Sequence, residues 1–464
     1  MRQLLWFSLW LVISASKSNA DSKPDLIYYG WDSPEISSLA QFITTLPTSP
    51  FAGAGIFTKA HGKVFRTMVF PTVEYQDEML QLSQLKPGVL GHSYLVINTT
   101  TDAEFDWLSD MHWQATLKNT AMLARLAKAG GFSGILFDME PYGFNLWKMS
   151  ALTDKHPMAY AQAQILMENR GKSMMQTIEA EFPHPQMFFL WGLSAEQDWT
   201  ASLPALTPTT IAMSQGPSGL WPAFFGGMVK AASANTRIID GNERSYYFSA
   251  NQDYADARGH IVDDLAYLLP EDTRSAYAEK VEVGQAVYAD YLLNSSDTPR
   301  QFGYFLANED ERLHALESHV AYAMANAQSI AWYYAEKSGW WSNPSNKVTD
   351  AINRGKRAAN LGPTAALIAA SPQAMEKWAK RRTISGKFIA TDGILPPEIH
   401  FAPDLAHRAC SIDASTSNYF CVLPDGISIT LKPQAANVMF DPAQKEITDL
   451  GGNLHGLNWT VQKP

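Results

Sequence analysis

The chain has 464 residues and a formal net charge of −10, with 36 Lys and Arg against 46 Asp and Glu. Negative charge spread along a sequence argues against nucleic acid as a partner. Only two cysteines are present, Cys410 and Cys421. Without a nearby His pair they argue against a structural zinc site, and in an oxidising compartment they would close one short loop.

The first residues are Met1-Arg2-Gln3, followed by a mostly apolar run over 4–15 and then Ser18-Asn19-Ala20. A charged start, a short apolar stretch and a small-residue cleavage site read as a signal peptide over 1–20. The apolar run is short for a bilayer span, and no later stretch is long and apolar enough. The expectation is a secreted or periplasmic protein with no membrane span after signal removal.

From there the sequence alternates between strand and helix patterns. Strand one is predicted over 26–31, with Asp32 at its end, and Ser33-Pro34 opens a helix to about 46. Strand two covers about 53–58, followed by a helix over 73–85 that Pro87-Gly88 ends. Strand three covers about 89–98. A helix over 111–128 carries Met122, Leu123 and Leu126 on one face and stops at Gly130-Gly131. Strand four covers 134–140, then a helix 160–182, strand five 186–193 and a helix 221–232. Strand six covers 236–240, strand seven 281–289, a helix 309–327 and strand eight 329–336.

Eight such alternations predict an α/β fold, a (β/α)8 TIM barrel, over residues 21–384. The alternative is a doubly wound open sheet. No G-x-G-x-x-G follows any predicted strand, which weakens its dinucleotide-binding form. From 385 to 464 the apolar runs shorten and Pro, Gly and Asp turns separate them, so a small β-rich C-terminal domain is predicted.

The chemistry concentrates at the end of strand four, Ile135-Leu136-Phe137-Asp138-Met139-Glu140-Pro141. Residues two apart on a strand leave the same face, so Asp138 and Glu140 form a carboxyl pair. Pro141 ends the ladder there, and barrel enzymes keep their reacting groups at the carboxyl ends of strands. A second acidic site follows strand six, Asp240-Gly241-Asn242-Glu243. Hydrolysis of a glycosidic bond takes two carboxyls, one to protonate the leaving oxygen and one to attack or to activate water. A surface pair of Glu243 with Arg237 or Arg244 is the simpler reading of that residue.

Aromatic residues make up 12% of the chain. Rings near strand ends suit stacking on sugar C–H faces, although most rings pack in cores. The chain has no G-x-S-x-G elbow and no H-E-x-x-H, and its 11 His are scattered. His92, near strand three, is a candidate ligand contact or a hydrogen-bonded His. No EF-hand loop is present, and neither a metal nor a cofactor is expected.

Residues 131–140 resemble strand four of barrel glycoside hydrolases. The chitinase-like clan carries a longer Asp-x-x-Asp-x-Asp-x-Glu run there. Aligned on Glu140, its two earlier acids fall at Leu136 and Ser133, so only the Asp138-x-Glu140 end matches. Carboxyls after strands four and six also look like the α-galactosidase-type clan, which draws its nucleophile and its acid/base from those positions. The resemblance covers roughly residues 26–340.

These readings lead to a glycoside hydrolase acting on a poly- or oligosaccharide, with Glu140 and Glu243 as its catalytic carboxyls. Asp138 would position Glu140 or bind substrate. Asp32 and Asp240 would hydrogen-bond sugar hydroxyls. Trp31 and Trp332 would stack on the sugar, with Tyr142 and Trp191 as further contacts. The competing readings are a non-catalytic carbohydrate-binding barrel and a hydrolase or lyase acting on another polar exported substrate.

Overall fold

A computed structural model describes residues 23–202, 208–248, 251–293, 309–360, 381–396, 399–402, 410–413, 417–424, 426 and 428–463. The signal-peptide expectation over 1–20 lies outside them. Among the described residues nine strands form one all-parallel sheet. They are β1 (Asp25–Gly30), β2 (Gly53–Ile56), β3 (Tyr94–Asn98), β4 (Gly134–Asp138), β5 (Gln186–Phe189), β6 (Arg237–Asp240), β7 (Val281–Val283), β8 (Gln285–Tyr288) and β9 (Ile330–Ala335).

The sheet order is β7-β6-β5-β4-β3-β2-β1-β9-β8, so its two edges are consecutive in the chain. The sheet is therefore a nearly closed barrel. The predicted strand over 281–289 is broken at Gly284, and its halves pair with different neighbours, β7 with β6 and β8 with β9. Gly284 N–H donates 2.7 Å to the Asp240 carbonyl, and a Cβ there would lie 3.0 Å from the Ile330 carbonyl oxygen. The chain crosses the seam where both neighbours press on it.

Strand three starts at Tyr94 rather than 89, because Leu90–Ser93 close a turn instead of a ladder. The helices predicted to 46 and over 73–85 are shorter, Leu39–Thr45 and Gln76–Ser83, and the later four appear as Asp110–Ala129, Tyr160–Glu181, Trp221–Ala231 and Glu309–Asn326. Ser109 caps Asp110–Ala129 by accepting from the His112 N–H. Helices at Asn251–Arg258, Glu271–Lys280 and Asn346–Ala359 join them without a counterpart in the sequence reading.

Pleating sends alternate residues inward. A Cβ on Gly55 would meet Tyr29, Val96 and Leu136, so these share the barrel interior. Phe137 and Phe189 face the opposite way and pack on Trp221 of the surrounding helix.

A second hydrophobic core gathers Ile384, Phe388, Phe401, Tyr419 and Trp459. It belongs to antiparallel-rich sheets built from β10 (Arg381–Ala390), β11 (His400–Ala402), β12 (Cys410–Asp413), β13 (Asn418–Pro424), β14 (Ile429–Gln434), β15 (Met439–Asp441), β16 (Lys445–Ile447) and β17 (Trp459–Gln462). The expected change of texture at 384/385 falls inside β10. Cys410 and Cys421 sit directly opposite each other on β12 and β13 and form a disulfide. Among the described residues no helix is long and apolar enough to cross a membrane.

Candidate active site

All nine strands run the same way, so their carboxyl ends open on one mouth. Asp138 is the last residue of β4 and is 1% exposed. Its Oδ1 accepts the Glu140 N–H at 3.0 Å, an Asx-type turn that folds the loop back and brings Glu140 over the barrel. Its Oδ2 lies 2.9 Å from the Tyr142 hydroxyl, which also lies 3.1 Å from Glu140 Oε2. One phenol thus touches both carboxyls. A phenol has a single proton, so both contacts hold together only when one carboxyl brings a proton of its own.

Asp138 is that carboxyl. Burial first, and the charge of Glu140 second, push it up to about 7. With Asp138 protonated, its O–H reaches the Tyr142 oxygen and the Tyr142 O–H turns to Glu140. Glu140 is itself raised above its ordinary value, by burial and then by the charge of Glu336, against the Tyr142 hydrogen bond.

Glu243 follows β6 by way of a tightly built turn. Gly241 N–H donates 2.7 Å to the Phe189 carbonyl, and a Cβ on Gly241 would lie 2.7 Å from that same oxygen. Asn242 takes a left-handed conformation, φ 48°, and donates 3.0 Å from its side chain to Gln285. This turn delivers Glu243 to the mouth with Oε2 buried and, among the described residues, without a hydrogen-bond partner. Burial raises Glu243 well above the carboxylate range, the charges of Glu140 and Asp138 add to the rise, and Trp191 at its carboxyl opposes it. Glu140 thus raises both Asp138 and Glu243, and Asp138 raises Glu243, a coupling of carboxyls of the kind found at reacting sites.

The floor under these acids is aromatic. Tyr246 stacks on Tyr334 with centroids 5.3 Å apart, Tyr288 packs against it at a tilt with centroids 4.7 Å apart, and Trp332 lies 5.3 Å from Tyr246. Such a floor keeps water away from the carboxyls from below.

Several sequence-predicted residues do other work. Asp240, at 0% exposure, accepts from Ser194 N–H at 3.0 Å, from the Ser194 hydroxyl and from Asn242 N–H at 3.0 Å, so no sugar hydroxyl reaches it. Trp332, also at 0%, fills the barrel interior and donates 2.8 Å to the Gly241 carbonyl; it offers no free face for stacking. Asp32 accepts from Tyr28 and, at 2.7 Å each, from the Ser342 N–H and hydroxyl, so it fastens the loop after β9 beside a separate cavity walled by Phe42 and Trp341. His92 pairs with Asp25 at 2.7 Å, at the amino end of β1, opposite the mouth. Arg237 grips Glu282 at 2.8 Å rather than Glu243.

Trp31 remains at the mouth, 68% exposed, and Tyr142 is 48% exposed. Both line a cavity of about 200 Å³ together with Tyr29, Asp138 and Tyr334. Glu336 ends the predicted strand eight and was given no role there, yet it is the first acid after β9. Tyr288 donates 2.8 Å to its carboxylate, and Asp290 holds its N–H at 2.6 Å. Its position one residue beyond a strand end was the available signal. Asn98, the last residue of β3, carried the same strand-end signal, whereas His61, also a cavity residue, carried none.

Among the described residues no group of three or more His, Cys, Asp or Glu side chains could hold a metal ion. No protein-family model matches the chain, and no curated protein matches it in sequence.

Proposed function

We propose that this chain is an exported (β/α)8-barrel glycoside hydrolase, with β7 and β8 as two halves of one interrupted strand. The observation that carries the proposal is the gathering of Glu140, Asp138 and Glu243 over an aromatic floor at the carboxyl mouth, close enough that Glu140 and Asp138 both raise Glu243. The disulfide fits an oxidising compartment.

Glu243 is the proton donor. Burial and the neighbouring charges hold its proton, and its unpartnered Oε2 is the atom left to serve a glycosidic oxygen. Glu140 is the ionised partner, held by Tyr142. As the C–O bond breaks, Glu243 passes its proton to the leaving oxygen. Glu140 either bonds the anomeric carbon or takes a proton from the water that does. Asp138 positions Glu140 through its backbone N–H and through Tyr142.

Reducing-sugar release from a panel of polysaccharides, with wild type, Glu140→Gln and Glu243→Gln, tests this reading. Each variant should keep its thermal midpoint and lose on the order of 10²–10⁴-fold in kcat. Release that neither substitution changes would remove both residues from the chemistry. Binding to a polymer with no release from it would make the chain a carbohydrate-binding barrel.

A further inference from the structure

We propose that the cavity beside Asp138 receives one terminal sugar ring, so that the enzyme shortens chains one unit at a time from their non-reducing ends. This rests on the glycosidase reading and adds which part of the chain is taken.

Size is the first argument. The cavity measures about 200 Å³. Pockets for drug-sized ligands run roughly 300–1,000 Å³, so this one suits a single ring better than a run of them. It is also blind. Tyr29 lies at its base, nearly buried, and Trp332 and Tyr246 fill the barrel beneath. Gly55 lets the Tyr29 ring lie there, since a Cβ would stand 2.9 Å from Tyr29 Cδ2.

The walls match a ring bearing several hydroxyls, each of which both donates and accepts. Asn98 Oδ1 is occupied by the Thr100 N–H at 3.1 Å and the Thr100 hydroxyl at 2.7 Å, which leaves its amide hydrogens as donors. His61 Nδ1 lies 2.7 Å from the Thr58 carbonyl oxygen. A carbonyl can only accept, so Nδ1 carries the hydrogen and Nε2 of the neutral ring is an acceptor. Donor and acceptor thus share one wall. At the entrance Trp31 supplies a flat exposed face, with its indole N–H within reach of the Tyr334 hydroxyl.

The opposite wall fixes the direction of the chain. Asp138 and Tyr142 line the cavity, and Tyr142 also touches Glu140. A ring seated here turns its anomeric carbon toward Glu140, and the remaining units leave the mouth over half-exposed Tyr142. With a blind base, no further unit extends from the other side of the ring.

The test uses hexasaccharides of glucose, galactose, mannose and N-acetylglucosamine, each with a fluorophore at the reducing end, followed by electrophoresis over time. The expected result is a labelled pentamer before a labelled tetramer, with free monosaccharide as the unlabelled product. A labelled dimer or trimer appearing first would overturn end-wise action and leave the glycosidase reading standing. If no hexamer is cut, the glycosidase reading fails, and fluorescence anisotropy with the same hexamers tests the pocket. A 4,6-O-ethylidene cap on the non-reducing ring should then abolish binding, and Trp31→Ala should weaken binding of the uncapped probe about tenfold. Equal binding of capped and uncapped chains, or binding of neither, would overturn the proposal.

Discussion

Asp138 and Asp240 end β4 and β6, both are buried, and both are followed two or three residues later by a glutamate. They do opposite work. Asp138 faces the mouth and shares Tyr142 with Glu140. Asp240 faces the helix layer, near Tyr277, and is consumed by Ser194 and Asn242. The register explains the difference. Asp240 pairs with Phe189, and Phe189 pairs with Phe137, so Asp240 stands one rung below Asp138 and on the other face. A one-residue stagger sends a strand-end aspartate to the chemistry or to the scaffold.

The largest effect that could break this comparison lies in stability against pH. Asp138 in the folded protein holds its proton up to about 7, whereas an unfolded aspartate releases it near 3.9. Between those values the folded state binds a proton that the unfolded state has lost. This group's contribution to stability is therefore full below about pH 4 and falls as pH rises to about 7, by at most roughly 4 kcal/mol. In Asp138→Asn that component should vanish, and urea unfolding at pH 4.5 and 7.5 should show a smaller loss than in wild type. Equal losses in the two proteins would mean that Asp138 is ionised throughout.

Asp240 should answer to truncation instead. Asp240→Ala leaves the Ser194 N–H, the Ser194 hydroxyl and the Asn242 N–H without their acceptor in a buried turn. Unpaired buried donors cost about 1–3 kcal/mol each, and with relaxation of the turn a total of about 3 kcal/mol is expected. The denaturant midpoint should fall well beyond that of Asp138→Asn. A midpoint within 0.5 M urea of wild type, about 1 kcal/mol at the usual slopes, would deny Asp240 its scaffold role.

This pair also marks how far the sequence could be read. The acid-rich ends of β4 and β6 stood out because a carboxylate after an apolar run is unusual chemistry, and those runs are strands. Relative stagger is set by pairing across the sheet, which leaves no trace in either strand alone. Asp240 was therefore expected to meet sugar, and Trp332 likewise. Alternation puts Trp332 and Tyr334 on one face, but only depth decides that Trp332 lies under Tyr246 while Tyr334 reaches the cavity. The helix Glu271–Lys280 escaped because only Thr273 and Tyr277 of its ten residues are buried, too few for a periodic apolar stripe. The break at Gly284 reflects closure of the barrel, a property of the whole sheet.

The smallest effect separates the two networks most sharply. Tyr142 donates toward Glu140 and so favours its charged form. In Tyr142→Phe that support goes, the Glu140 pKa rises, and the acid limb of the pH–rate profile moves to higher pH. A hydrogen bond to a charged group at this half-exposed position supports a move of up to about one pH unit, with kcat down about tenfold. Ser194→Ala is the matching cut in the Asp240 network. It removes a hydroxyl donor to a carboxylate that takes no part in the reaction, so it should lower the denaturant midpoint and leave the limb where it is. If Tyr142→Phe lowered kcat without moving the limb, Tyr142 would be packing against substrate rather than holding the Glu140 charge. If Ser194→Ala moved the limb, Asp240 would reach the chemistry through Glu243, and the two aspartates would differ in distance rather than in kind.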